Sequence, residues 1–117
     1  MTSNKQTVAE YLSAFRVTDH ARILACLTDD VEWVIPGMVH RRGKAEFDAE
    51  IENDAFIGRP LIIETRMTEE NDVVAVEGTV QATKRDGGIL NLMFCDVFEM
   101  RGGKIGKLTS YLMPVGG

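Results

Sequence analysis

The chain is poor in the residues that announce most chemistries. It has only two cysteines, Cys26 and Cys95, and two histidines, His20 and His40. No Cys-x-x-Cys or His-x-x-x-His spacing is present, so a zinc site or redox dithiol has no carrier. There is no glycine-rich phosphate loop and no Gly-x-Ser-x-Gly elbow, which leaves nucleotide cofactors and a nucleophilic serine without support. No cofactor and no metal are therefore expected. Positive charge is also scarce, with 13 Lys and Arg against 18 Asp and Glu and a net charge of −5. That balance argues against nucleic acid or an anionic membrane as partner. No apolar run approaches the ~20 residues of a membrane span, and the start is polar, so a cytoplasmic location is expected. The two cysteines read as reduced, buried thiols.

What is present is enough for one domain over residues 1–117, with an apolar fraction of 44%. Val8, Tyr11, Leu12 and Phe15 recur at helical spacing, with Ser3 or Asn4 as the cap. Asp19 can cap a second helix from His20 to Leu27. Val31 to Ile35 reads as a strand turned by Pro36-Gly37, with a short return strand from Met38 to Arg41. A third helix is expected from Lys44 to Phe56, ended by Gly58 and Pro60. The remainder reads as an antiparallel meander with strands over Leu61–Thr68, Val73–Thr83, Ile89–Met100 and Ile105–Met113. Helices first and a meander afterwards is an α+β order.

Chemistry concentrates in Asn91 to Glu99, the most apolar stretch. Alternation places Leu92, Phe94, Asp96 and Phe98 on one face and Met93, Cys95 and Val97 on the other. A carboxyl between two phenylalanines must be paired or hold its proton with a raised pKa. The same pattern also fits an acid that meets a buried donor and only fixes strand register. Tyr11 lies inside an apolar helical stripe, so its hydroxyl needs a polar partner.

The order Tyr11-Leu12-x-x-Phe15, Leu27-Thr28-Asp29-Asp30-Val31-Glu32-Trp33 before Pro36-Gly37, Arg42-Gly43-Lys44, and Asp96-Val97-Phe98-Glu99 before Gly103-Lys104-Ile105 resembles the nuclear transport factor 2-like superfamily, in its SnoaL-like or ketosteroid-isomerase-like branch. The resemblance spans about residues 5–113 and implies a cystatin-like, cone-shaped roll. In it, N-terminal helices pack on a strongly curved, mostly antiparallel sheet and enclose a pocket. It also implies a homodimer through the outer sheet face. Tyr11 falls at the isomerase's oxyanion-hole tyrosine and Asp96 at its protonated aspartate. Ile35 stands where the isomerase keeps its acidic base. Ser110 stands where epoxide-hydrolase-like members carry an acid, with Leu108 in place of their tryptophan.

Two residues are candidates for the missing base. His40 lies past Pro36-Gly37, at the rim the family uses as a pocket mouth; beside Arg41 and Arg42 it also reads as a surface residue. Glu77 lines the pocket together with Thr79 and Gln81 if that polar face looks inward, the register favoured by matching Asn71-Asp72 to the isomerase. A one-residue slip turns all three outward. Phe15, Trp33, Phe56, Phe94, Leu108 and Leu112 read either as core or as the wall of a ligand cavity, with Ile35, Thr79 and Ser110 beside them. Three functions remain open: a cofactor-independent isomerase, cyclase or lyase acting on an apolar carbonyl compound, a non-catalytic binder of a small apolar molecule, and a dimeric scaffold.

Overall fold

The computed structural model describes residues 1–52 and 55–116. Three helices, α1 (Ser3–Arg16), α2 (His20–Ala25) and α3 (Gly43–Ile51), accompany six strands. These are β1 (Leu27–Ile35), β2 (Val39–Arg42), β3 (Phe56–Glu70), β4 (Val73–Lys84), β5 (Ile89–Arg101) and β6 (Lys104–Pro114). They form one sheet in the order β2-β1-β6-β5-β4-β3. Every neighbouring pair is antiparallel except β1 with β6, which run parallel. The result is the expected α+β cone, unclosed, with helices inside a mostly antiparallel sheet.

Thr2 caps α1, its side chain accepting from the Lys5 amide at 3.2 Å. The cap was expected at Ser3 or Asn4. Asn4 instead donates to Glu69 and Asp72, both at 3.0 Å, and ties α1 to the β3–β4 turn. Thr7 donates to the Gly103 carbonyl at 2.7 Å, and the Arg16 guanidinium to the Ile62 carbonyl at 3.0 Å. The helix is thus held near both ends against turns and a strand of the sheet. Its stripe of Val8, Tyr11 and Leu12 is buried. Asp19 caps α2 as expected, accepting from the Arg22 amide.

The core is an aromatic layer between helices and sheet. Tyr11 meets Phe98 edge-on at 5.4 Å and Phe47 edge-on at 6.2 Å. Phe47 of α3 also stacks on Trp33 at 4.6 Å. Contacts of this kind contribute ~0.5–1.5 kcal/mol each beyond their area burial. They place α1 and α3 on the same side of the sheet, the side that carries Trp33 and Phe98.

Several element boundaries differ from the sequence reading. The expected continuation of the third helix to Phe56 crosses residues 53 and 54, outside the described residues, and Phe56 itself opens β3. In β3, strict alternation would set Ile62 and Met67 on opposite faces. A bulge between Glu64 and Arg66 lets both pack on the core. The β3–β4 connection is the two-residue turn Asn71-Asp72, both with positive φ, which suits the twist of a hairpin. The β4–β5 loop is three residues, closed by the Lys84 amide on the Gly88 carbonyl at 2.8 Å.

Glycine matters most at Gly78. A Cβ there would lie 2.1 Å from the Ile63 carbonyl oxygen and 2.8 Å from the Phe94 ring. Its absence lets Phe94, directly paired with it, rest on the β4 backbone. Cys26 is buried and Cys95 half-buried, both as free thiols. No helix among the described residues is long and apolar enough to cross a membrane.

Candidate functional site: a cavity with one tyrosine and one carboxyl

Between α1 and the sheet lies a cavity of about 120 Å³. Helix α1 contributes Tyr11, Leu12 and Phe15, and β1 contributes Trp33 and Ile35. Ile62 of β3, Val80 of β4, Phe94 and Asp96 of β5, and Ser110 and Leu112 of β6 complete the wall. An apolar cavity of about 150 Å³ takes benzene, so the space here suits about one six-membered ring. Leu112, 37% exposed, stands at the open side.

The polar groups gather at one end. Asp96 retains some accessible surface, but that surface borders the cavity and protein encloses the carboxyl elsewhere. Burial pushes its pKa up to about 7, and the neighbouring Ser110 hydroxyl offsets part of the shift. Ser110 is directly across from Asp96 in the β5–β6 pairing. Trp33 donates its indole N–H to the Ser110 hydroxyl at 3.1 Å. Tyr11 is held well above the usual phenol range, first by burial and then by the nearby Asp96. Its hydroxyl makes no hydrogen bond to a described residue, yet no described buried side-chain polar atom is unsatisfied. The hydroxyl therefore opens onto the cavity and is free to donate.

Other residues singled out in the sequence lie elsewhere. Glu77 is a correction: it projects from the outer face of the sheet and pairs with Arg66. Asp96 pairs across to Val76 and Phe94 to Gly78, and directly paired residues share a face. Val74, Val76, Gly78 and Val80 therefore look inward, while Glu77, Thr79 and Gln81 look out. Thr79 is exposed on that outer face for the same reason. His40 is a second correction. It sits opposite Val34 on the outer side of the β1–β2 hairpin and pairs with Glu32, away from the cavity. Leu108 is fully buried in the core and does not reach the cavity wall. Phe56 lines a separate cleft with Thr18, Ile51, Ile57 and Pro60, which meets the first only at Phe15.

Three wall residues escaped the sequence reading. The sequence places Leu12, Ile62 and Val80 in core or strand, and only the bulge in β3 and the inward face of β4 bring the last two to the cavity. His20, read as a surface residue, bridges Asp48 of α3 and Glu52 just past its end, each at 2.6 Å.

The profile of the SnoaL-like domain matches residues 8–107, nearly the whole of the helices and sheet just described. This chain belongs to the SnoaL-like domain family. Among solved structures, an NTF2-like protein of unknown function from Burkholderia pseudomallei K96243 is 26% identical, with a TM-score of 0.90 over 97% of this chain and 92% of that one. TerC, co-crystallised with polyporic acid, is 25% identical, with a TM-score of 0.84 over 93% of this chain and 90% of TerC. A Mycobacterium tuberculosis epoxide hydrolase of the LEH-like type shares the fold at 20% identity, with a TM-score of 0.83 over 95% of this chain and 83% of that one. No match was found among curated proteins. In this SnoaL-like chain, Ile35 supplies an apolar side chain to the cavity wall.

Proposed function

We propose that this SnoaL-like domain binds a small, largely apolar molecule carrying one carbonyl, enol or phenol oxygen. Tyr11 and the protonated form of Asp96 donate hydrogen bonds to that oxygen, and the ring or short chain fills the apolar remainder. The observation that carries the reading is the pairing of an unpartnered Tyr11 hydroxyl with an Asp96 carboxyl titrating at about 7 in one apolar cavity. Donors aimed at one oxygen in a low-dielectric site act more strongly than in water. The co-crystallisation of the similar TerC with a small molecule supports a pocket that is used.

A cofactor-independent isomerase, cyclase or lyase reaction of an enolisable ligand would have to move its proton through Asp96. Among the described residues lining the cavity, Asp96 and Tyr11 alone titrate. Binding without turnover is the second reading. It is favoured by Ile35 at the base position and by Glu77 and His40 facing away from the cavity.

The test is calorimetry with a phenol probe at pH 6. Tyr11→Phe and Asp96→Ala should each weaken binding by about 3-fold to 10-fold, the span of a hydrogen bond between neutral groups. Unchanged affinity in both variants would remove the oxyanion role.

The outer face supports a homodimer. Ile63, Met93 and Met113 lie in one row across the sheet with Thr79 between them, and the three are 51%, 54% and 67% exposed. Tyr111 adds to this face at 52%. A contiguous apolar face of this kind suits a second copy of the same sheet. Sedimentation at micromolar concentration should give a dimer, and Met93→Lys should give a monomer; a wild-type monomer refutes the pairing.

A further inference from the structure

Ser110 is 4% exposed and lies beneath the cavity, and nothing in the ligand reading requires it to be polar. Its surroundings restrict where its proton can point. The Trp33 indole is a donor only, and it occupies a lone pair of the Ser110 Oγ at 3.1 Å. The hydroxyl proton is thereby free to be given away. Ser110 faces Asp96 across adjacent strands, on the same side of the sheet. That register sets the Ser110 hydroxyl beside the Asp96 carboxyl.

We propose that Trp33 and Ser110 form a directed relay, Trp33 to Ser110 to Asp96, in which Ser110 is a positioning residue. It holds one carboxyl oxygen of Asp96 against β6 and leaves the other turned into the cavity, toward the ligand oxygen. This deepens the functional reading above and rests on Asp96 being the ligand-facing acid.

The groups packed around Asp96 make the relay readable. Helix α1 presents Tyr11, β1 presents Trp33 and Ile35, and β3 presents Ile62. Strand β4 presents Val76, Gly78 and Val80, and β6 presents Ser110 and Leu112. Tyr11 is the single other titratable group among these, and it stays neutral at ordinary pH. Any change in the Asp96 midpoint on altering Ser110 therefore reports the hydroxyl. A donor on a carboxylate favours the charged form, so its loss should move the midpoint up.

The experiment is a carbon-13 NMR titration of the aspartate carboxyls in the ligand-free full chain, with the Asp96 signal assigned by its loss in Asp96→Asn. The wild-type midpoint should lie near 7. Ser110→Ala should raise it by about one pH unit, and Ser110→Thr should restore it. Trp33→Phe keeps a ring and removes the indole N–H, so it should raise the midpoint by a smaller amount, because a hydroxyl that accepts also donates more strongly. A midpoint unmoved or lowered in a folded Ser110→Ala protein overturns the relay. If that variant does not fold, Ser110→Cys, a weak donor of similar size, is read the same way. The titration needs no ligand, so a failed probe-binding test leaves the relay standing, and an unmoved midpoint leaves the probe-binding result intact.

Discussion

Asp96 and Glu77 are both carboxyl residues on neighbouring strands near the middle of the sheet, and they live in opposite worlds. Asp96 faces inward among phenylalanines with Ser110 across from it, and burial raises it to about 7. Glu77 faces outward and takes the Arg66 guanidinium. The backbone geometry of the two positions is nearly the same. What differs is the face, and the face decides whether a carboxyl becomes a buried acid or a solvated half of an ion pair.

The contrast between faces can be broken most severely at β5 itself. Phe98 is fully buried on the inner face and Met93 is 54% exposed on the outer. Phe98→Ala should cost about 3–5 kcal/mol in urea unfolding, through lost burial and the space left behind. Met93→Ala should stay within about 0.5 kcal/mol at dilutions where the chain is monomeric. Equal costs would mean that the outer face is as firmly packed as the core.

The next test compares the two acids through pH. Below the unfolded carboxyl range near 4 both states of Asp96 hold a proton, and the raised pKa has no effect on differences in stability. Between about 4 and about 7 the folded chain keeps the proton that the unfolded chain releases, so stability falls as pH rises through this window. A shift of this size corresponds to on the order of 4 kcal/mol. Asp96→Asn should lack that decline, and unfolding curves at pH 4.5 and 8 should diverge from wild type accordingly. Glu77→Gln should follow wild type, with a cost below about 1 kcal/mol that shrinks in salt. Parallel curves for wild type and Asp96→Asn would defeat the account of a buried acid.

Much of the fold could be read from local pattern. The stripe of Val8, Tyr11 and Leu12, the Asp19 cap, the inward set of Phe94, Asp96 and Phe98, and the Asn71-Asp72 and Gly102-Gly103 turns follow from spacing and turn chemistry. The placement of Glu77 did not, and its cause is one residue of loop. A four-residue turn over 85–88 would pair Lys84 with Ile89 and set Glu77 opposite Asp96, facing in. The observed closure of Lys84 on Gly88 shortens the loop and turns every residue of β4 over. The bulge in β3 hid Ile62 from the cavity list in the same way, because alternation cannot show an extra residue. In the sequence Ser110 stands out only as the place of an absent acid. Its position across from Asp96 depends on the register of β5 with β6, and its contact with Trp33 on a parallel pairing that leaves no local trace.

That parallel pairing also bears on the order in which the chain assembles. The meander from β3 to β6 joins each strand to its sequence neighbour through short turns, so it can zip from local contacts. Docking β1 on β6 must instead close most of the chain in one step, since Trp33 and Ser110 are 77 residues apart. The cavity is thus a late product of folding, completed only when the two ends of the sequence meet. Trp33, the single tryptophan, sits at that seam, where its fluorescence would mark the moment of closure.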